Sequence, residues 1–109
     1  MSNVCVVTVT YGDRERFLSQ VLIACLKEKH IKKIIVVDND STCNQNFFDS
    51  FNTDKIKWLR LKENTGSANG YKIGIKKAYE DSKCELIWLL DDDNVPNPKC
   101  LDKLLAQYK

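Results

Sequence analysis

Four short apolar segments alternate along the chain with stretches of helical spacing, and this alternation constrains the possible folds most. The segments, rich in Val, Ile, Leu or Trp, are Val4 to Thr10, Lys33 to Asp38, Ile56 to Leu61 and Glu85 to Leu90. Three of them are apolar on both alternating faces, which is typical of strands that are buried on both sides. Such strands are usually parallel, because helices in the connections cover both faces of the sheet.

The stretches between the segments predict helices. A first helix has Asp13 as its predicted N-cap and ends near His30, residues 67–80 predict another, and residues 41–55 predict a short one. Asn97 and Pro98 predict the N-cap and first residue of a last helix. The predicted inward-facing residues are Phe17, Leu18, Val21, Leu22 and Cys25, then Phe47, Phe48 and Phe51, then Ala68, Tyr71, Ile75, Ala78 and Tyr79, and finally Leu101, Leu104, Leu105 and Tyr108.

This order of elements predicts the fold class. A β-α-β-(α)-β-α-β-α order with right-handed crossovers gives an α/β protein with an open, mostly parallel sheet and helices on both faces. The 109 residues suit one domain, and no internal repeat or linker divides them. Ligands of such sheets bind beyond the carboxyl ends of the strands, so the residues found there are the candidates for function.

Composition excludes several other classes of protein. A formal net charge of +2 argues against a nucleic-acid-binding protein and against a polybasic membrane anchor. No apolar run approaches the roughly 20 residues that a transmembrane helix needs, and no signal peptide is recognised. The five cysteines are odd in number and lack a CxxC pair, which predicts free thiols in a reducing compartment.

Polar residues follow every predicted strand. They are Thr10 to Asp13, Asp38 to Ser41, Lys62 to Gly66 and Asp91 to Asn94. Each set alone has a structural explanation, because Asp, Asn and Gly are common in turns and caps. Together they predict one acidic and amide-rich edge of the sheet.

The triplet Asp91-Asp92-Asp93 is the most specific of these sets, because it directly follows a buried strand. If the extended geometry continues, Asp91 and Asp93 point one way and Asp92 the other. Two carboxylates on one side repel each other unless a cation compensates them, and hard oxygen ligands suit Mg²⁺ or Mn²⁺. The triplet therefore predicts a site for a metal and a diphosphate, and the alternative is a solvated acidic turn before the last helix.

Three glycines and one histidine are further candidates for a structural or functional role. Gly66, Gly70 and Gly74 are spaced by four, so on a helix they share a face that packs closely either against the sheet or against a ligand. His30 is predicted to be structural, at the end of the first helix.

The sequence blocks resemble the family 2 glycosyltransferases, which have the GT-A fold and use nucleotide-diphosphate sugars. The blocks are Val6 to Tyr11, Ile35 to Ser41, Asn64-x-Gly66, and Trp88 to Asp93 with Pro96 and Pro98 behind it. The triplet corresponds to the DxD motif of the family, and the segment Asn69 to Gly74 is most similar to the galactofuranosyl- and rhamnosyl-transferase branch. Many members have Arg at the position of Tyr71 and Asn at that of Lys72.

The resemblance implies a role for each matched residue. Thr10 and Tyr11 would lie against the nucleotide base, Asp38 would hydrogen-bond the base, and the loop from Asn64 to Gly66 would border the nucleotide. Asp91 and Asp93 would hold the ribose and the Mn²⁺ or Mg²⁺ that bridges the diphosphate, with Asp92 near the donor sugar. Lys72 would meet a phosphate as a point charge.

The resemblance also implies the reaction: inverting, metal-dependent transfer from a UDP- or dTDP-linked sugar to a glycan or lipid-linked acceptor. Residues 1–109 would be the donor-binding part of a GT-A domain that is incomplete at the C-terminus. The acceptor half and the general base are expected beyond Lys109, and self-association of the chain is expected in consequence. A cytoplasmic location is implied, with peripheral association at the inner face of the membrane as the alternative.

Two other functions stay open. The first is a non-catalytic module or inactive remnant that keeps affinity for nucleotide sugars. The second is a phospho-receiver-like domain, although such a domain has an acidic pair after its first strand, where this chain has Thr10, Tyr11 and Gly12.

Overall fold

The predicted order of strands and helices is confirmed. The structure is a computed structural model that describes residues 3–81, 83–97 and 99–107. The strands are β1 (Val4–Gly12), β2 (Ile31–Ser41), β3 (Ile56–Arg60) and β4 (Leu86–Leu89). The helices are α1 (Glu15–Leu26), α2 (Gln45–Asp49), α3 (Ser67–Tyr79) and α4 (Cys100–Gln107).

The four strands form one sheet in the order β3-β2-β1-β4, and every neighbouring pair is parallel. Each face of the sheet carries its own apolar core. Leu18 of α1, Phe48 of α2 and Leu101 of α4 pack on one face, whereas Ala78 of α3 packs on the other. The expectation of an α/β sheet with helices on both faces is therefore confirmed.

Strands β1 and β2 extend further than their apolar runs predict. Thr10 pairs with Asp38 and Gly12 with Ser41, so the polar ends of both strands stay in the ladder. Thr10, Asp38, Asn39 and Ser41 are nevertheless buried. Hydrophobic patterning misses Asn39 and Ser41, because hydrogen bonds rather than apolar contacts compensate these side chains for the loss of water.

Helix α1 begins one residue later than predicted and ends earlier. Arg14, not Asp13, occupies the N-cap position and makes no side-chain capping bond, and Lys27 is the C-cap. His30 therefore lies outside the helix, in the connection to β2. Leu18, Val21, Leu22 and Cys25 are buried as predicted, but Phe17 is 41% exposed.

The face that α3 turns to the sheet is also different from the predicted one. Gly70, Gly74 and Ala78 are buried, whereas Ala68 and Ile75 are exposed and Tyr79 is 83% exposed. A Cβ on Gly70 would lie 2.8 Å from Val9 Cγ1, and one on Gly74 would overlap Val7 Cγ1. Of the two explanations for the glycines, close packing against the sheet is confirmed at these two positions.

The two remaining helices agree with the sequence in their main features. Asn44 caps α2 by accepting a hydrogen bond from Phe47 N, and Phe48 is the residue of this helix that is buried. Leu101 and Leu105 of α4 are buried as predicted. The helix begins at Cys100, later than predicted, so the prediction of Asn97 as its N-cap is wrong; Asn97 accepts a hydrogen bond from Lys99 N at 2.9 Å in the preceding turn. Pro98 and Tyr108, and the side chain of Leu104, lie outside the described residues.

The expectation that all cysteines are free thiols is wrong. Cys5 of β1 and Cys84, just before β4, form a disulfide with their Cα atoms 5.7 Å apart. Cysteine spacing does not predict this disulfide, because the two cysteines are 79 residues apart in the sequence. The pairing of β1 with β4 brings them together. Cys25 and Cys43 are free and buried.

Among the described residues, no helix is long and apolar enough to cross a membrane.

Candidate functional site

The acidic triplet lies beside the carboxyl end of β1, because β4 pairs with β1 in parallel. A cleft of about 250 Å³ opens there. It is lined by Val9, Tyr11, Arg14, Ser67, Tyr71, Asp91, Asp92 and Asp93. The cleft thus joins residues from the end of β1, the start of α1, the N-terminal half of α3 and the segment after β4.

The three aspartates do not alternate in direction as an extended strand would require. Strand β4 ends at Leu89, and Asn94 N donates to Asp91 O at 3.3 Å, so the chain turns at the triplet. Asp92 and Asp93 consequently reach the same partner, whereas Asp91 reaches a different one. We call residues 91–94 the acidic turn.

Arg14 is the shared partner of Asp92 and Asp93. Its Nε donates to Asp92 Oδ2 at 2.7 Å and its Nη2 to Asp92 Oδ1 at 2.9 Å. The same Nη2 lies 3.1 Å from Asp93 Oδ2. The hydrogen bond to Asp92 is the main cause that raises the pKa of Arg14. The positive charge that neighbouring carboxylates need is thus supplied in part by the protein itself.

The ion pair is asymmetric in its exposure to solvent. The Asp92 side chain is 6% exposed and the Arg14 side chain 23%, whereas the Asp93 side chain is 53% exposed. Thr10 Oγ1 also donates to Asp92 Oδ2 at 2.9 Å. Both aspartates line the cleft, but Asp92 is held from two sides in the interior, whereas Asp93 is open to solvent.

Tyr71 supports the opposite side of the acidic turn. Its hydroxyl lies 2.8 Å from the carbonyl oxygen of Leu90 and 3.2 Å from Asp91 Oδ1, and it donates its one proton to either. Burial, followed by the charge of Asp91, raises the pKa of Tyr71 to about 12. The phenol accordingly stays protonated and remains a donor at neutral pH.

Thr10 and Tyr11, which the resemblance places against a base, differ in accessibility. Thr10 is buried, and its hydroxyl group donates a hydrogen bond to Asp92. Tyr11 is 46% exposed, and the Arg14 guanidinium lies 5.0 Å from the centre of its ring. Tyr11 therefore offers an open aromatic surface at the rim of the cleft.

Asp38 is fully buried and accepts several hydrogen bonds. Ser41 N donates to Oδ1 at 2.7 Å, while Trp58 Nε1 and Arg60 Nη1 donate to Oδ2 at 2.8 and 3.0 Å. These contacts fix the carboxylate between β2 and β3. Its predicted hydrogen bond to a base stays a prediction.

Asn39 organises the loop from Asn64 to Gly66. Its Nδ2 donates to Gly66 O at 2.9 Å and its Oδ1 accepts from Thr65 N at 2.9 Å. Gly66 N in turn donates to Asn64 Oδ1 at 2.9 Å. Gly66 has φ of +89°, a conformation that side chains disfavour, and it precedes α3 directly. Asn64 and Gly66 do not line the cleft around the acidic turn, and neither does Lys72, which is exposed on α3.

The donor set of the cleft fits a divalent cation that is shared with a substrate. Within the described residues, no three His, Cys, Asp or Glu side chains are grouped to hold an ion by themselves. Asp91 and Asp93 are exposed carboxylates on the same short turn. Mg²⁺ and Mn²⁺ commonly bind through one or two carboxylates, with water and substrate phosphates completing the coordination.

Four residues at or near the site were not singled out from the sequence for these contacts. Arg14, Trp58 and Arg60 bind the buried aspartates, and Asn39 holds the 64–66 loop. A charge-balance argument could have found Arg14, because buried carboxylates require a partner. Its separation of 78 residues from Asp92 leaves no local pattern to read.

A second and larger depression lies elsewhere on the surface. It is a groove of about 950 Å³ along the edge strand β3, and Lys33, Asp54, Lys57 and Trp58 are among its lining residues. None of the residues predicted for the functional site lines it.

The sequence matches one family model along nearly its whole length. The model described as "Glycosyl transferase family 2" matches residues 5–109. No curated protein matches the sequence.

Solved structures of TarS from S. aureus are similar to this chain. The structure of TarS 1-349 gives a TM-score of 0.75 at 22% identity, covering 95% of this chain and 31% of the TarS chain. Its complex with UDP gives 0.76 at 22% identity, covering 95% and 31%. Its complex with UDP-GlcNAc gives 0.76 at 22% identity, covering 95% and 30%. The chain thus spans about a third of the length of these structures, and the likeness confirms the GT-A fold.

Proposed function

The chain belongs to glycosyl transferase family 2, and from that premise we propose that it binds a nucleotide-diphosphate sugar for glycosyl transfer. Residues 1–109 would form the donor-binding part of the GT-A domain. The match to family 2 also argues against a phospho-receiver domain.

The observation that carries the proposal is the cleft at the carboxyl ends of β1 and β4. It places two accessible carboxylates, a guanidinium and an exposed aromatic ring around one small space. Those three kinds of group suit a nucleoside diphosphate: a ring for its base, and a carboxylate-bound cation and an arginine for its phosphates.

The residues of the chain would divide the work as follows. Tyr11 would stack on the base with Thr10 behind it, Asp38 would hydrogen-bond the base, and the 64–66 loop would border the nucleotide. Asp91 and Asp93 would hold Mn²⁺ or Mg²⁺ and the ribose, and Asp92, tied to Arg14 and Thr10, would keep the turn in place near the donor sugar. The cation, when bound, stabilises the negative charge that develops on the diphosphate leaving group.

The nature of the donor is part of the proposal. Solved complexes of TarS contain UDP and UDP-GlcNAc, and this fold similarity supports a UDP-linked sugar as the first candidate, with a dTDP-linked sugar as the second. Transfer would proceed with inversion to a hydroxyl group of a glycan or lipid-linked acceptor.

A specific observation favours a second candidate, a binding module without catalytic activity. Inverting transfer requires a general base for the acceptor hydroxyl. In the described part of the chain, each carboxylate of the acidic turn already accepts a hydrogen bond or ion pair from Arg14 or Tyr71. None of the three is thereby assigned as a base, and affinity for the donor would remain without transfer.

A thermal-unfolding panel of nucleotide sugars, each with and without Mn²⁺, tests the proposal. A ligand stabilises the folded state by an amount set by its concentration relative to its Kd. We expect a rise in Tm for UDP- or dTDP-linked sugars that requires Mn²⁺ and is lost in Asp93→Asn but kept in Asp13→Asn, an exposed aspartate in the same region. No Mn²⁺-dependent rise with any nucleotide sugar would contradict it.

Donor hydrolysis separates the two candidates. Release of free sugar from a donor that binds, abolished by Asp93→Asn, would indicate an enzyme. Binding of the donor without hydrolysis or transfer would indicate the module.

A further inference from the structure

We propose that Arg14 is an internal counter-ion of the acidic turn that makes binding of a divalent cation dependent on a diphosphate. In the ligand-free protein the guanidinium holds Asp93, and it releases Asp93 to the cation when the phosphates of the nucleotide take its place. This inference rests on the proposed function, because it concerns the same metal and diphosphate.

The two contacts of Arg14 differ in the way that such an exchange requires. The contact with Asp92 uses two hydrogen bonds to a carboxylate that is almost completely buried. The contact with Asp93 uses the already engaged Nη2, at 3.1 Å, and Asp93 is half exposed. The Asp93 contact is therefore the weaker of the two, and it can open without exposing or unpairing Asp92.

The guanidinium is also held where a diphosphate would meet it. The rings of Tyr11 and Phe17 lie 5.0 and 5.7 Å from its central carbon, so it sits between the exposed ring and the acidic turn. Arg14 lines the cleft together with Asp91 and Asp93. Guanidinium groups bind phosphate oxygens well, because their N–H groups match the spacing of those oxygens.

The charges in the cleft explain the dependence. A cation at Asp93 would lie within a few ångströms of the guanidinium, and the repulsion between them weakens binding of the cation alone. A diphosphate is attracted to both positive groups and removes this repulsion by lying between them. The cation and the nucleotide therefore strengthen each other's binding by the same factor.

A purely structural role for Arg14 gives the opposite expectation for the cation. If Arg14 only kept the acidic turn in shape, its removal would disorder Asp93 and weaken Mn²⁺ binding with or without nucleotide. As a counter-ion, its removal strengthens the binding of Mn²⁺ alone. This difference in sign separates the two roles without any measurement of activity.

The experiment measures free Mn²⁺ by electron paramagnetic resonance in titrations of the protein, with and without UDP. We expect Arg14→Gln to bind Mn²⁺ alone roughly tenfold more tightly than the original protein. The increase in Mn²⁺ affinity caused by UDP should shrink by a similar factor. Arg14→Lys, which keeps the charge, should bind Mn²⁺ alone like the original protein.

Arg16→Gln is the matched control, because Arg16 is exposed, lies over Phe17 and does not line the cleft. It should leave both affinities unchanged. Equal or weaker binding of Mn²⁺ alone by folded Arg14→Gln would overturn the inference.

Loss of Arg14 leaves buried Asp92 without its partner, so the single variant could unfold. Asp92→Asn and the double variant Asp92→Asn, Arg14→Gln avoid this difficulty, because the buried group is then neutral. The double variant should bind Mn²⁺ alone more tightly than Asp92→Asn, and equal or weaker binding would again overturn the inference. If UDP does not increase the Mn²⁺ affinity of the original protein, the proposed function fails instead, and the comparison of Mn²⁺ alone still decides the role of Arg14.

Discussion

Arg14 and Asp92 form a two-point ion pair that connects the start of α1 to the segment after β4, across 78 residues of sequence. Thr10, at the end of β1, binds the same carboxylate. One buried side chain thus joins three segments of the chain at the mouth of the cleft. The shape of the acidic turn depends on this pair.

Asp92→Ala should lower the free energy of unfolding by about 2 kcal/mol, because Arg14 and Thr10 lose a charged acceptor in a mostly dry environment. Urea unfolding measures the change. Asp93→Ala is the matched control, since its side chain is half exposed, and it should cost no more than about 0.5 kcal/mol. Equal losses for the two variants would contradict the assigned roles.

Gly74→Ala should destabilise the protein by about 1–3 kcal/mol, although Ala is the better helix former. The new Cβ would overlap Val7 Cγ1 and lie 3.0 Å from Val37 Cγ2. Denaturant unfolding of Gly74→Ala, Val7→Ala and the double variant tests the cause. The double variant should be more stable than the sum of the single losses predicts, and simple additivity would show that the overlap is not responsible.

The disulfide between Cys5 and Cys84 should stabilise the oxidised protein by roughly 2–4 kcal/mol, because it closes a long loop in the unfolded chain. Denaturant unfolding with and without reductant measures this difference, and Cys84→Ser should remove it. Peptide mapping without reductant should recover the peptides of Cys5 and Cys84 as one linked species. Recovery of both as separate free thiols under oxidising conditions would contradict the pairing.

Cys25 provides a comparison within the same molecule. Burial raises the pKa of its thiol to about 12, so little thiolate forms at neutral pH. Native-state alkylation of Cys25 should therefore be slow and should become fast only when the protein unfolds.

Tyr71 should ionise late in an alkaline titration, at a pH of about 12. Because folding raises the pKa of this phenol, its contribution to stability is complete below the ordinary value of 10.0 and is lost as the pH rises towards 12. Phenolate absorbance measures the step, and Tyr71→Phe should remove it. A titration curve that Tyr71→Phe leaves unchanged above pH 11 would show that the ring is not held as described.

The sequence predicts the sheet well, because strands buried on both faces carry uninterrupted apolar runs such as Ile34 to Val37. It predicts helix faces less well where the contact is made by glycine. The apolar stripe of α3 predicts Ala68, Tyr71, Ile75, Ala78 and Tyr79 to face inward, but only Ala78 and Tyr71 pack on the sheet. Gly70 and Gly74 bring the helix so close to the sheet that they lie inward in place of the others.

The sequence likewise predicts some parts of the candidate site and not others. The acidic turn is visible in the sequence, because three consecutive carboxylates directly follow the apolar run of β4, although this edge strand is only partly buried. Its partner Arg14 cannot be recognised in the sequence, and neither can Trp58 and Arg60, which donate hydrogen bonds to Asp38. These contacts depend on which strands are neighbours in the sheet. The alternation expected for an extended strand also fails here, because the chain turns at Asp91. The turn directs both Asp92 and Asp93 towards one arginine.

Crystals soaked with Mn²⁺ and UDP test the central claim most directly, because manganese is located by its anomalous scattering. The account predicts a single strong peak within coordination distance of Asp91 or Asp93, with a diphosphate oxygen on its other side and the uracil near Tyr11. Nucleotide bound elsewhere, such as in the groove along β3, or carboxylates of the acidic turn without manganese in the presence of bound UDP, would contradict it.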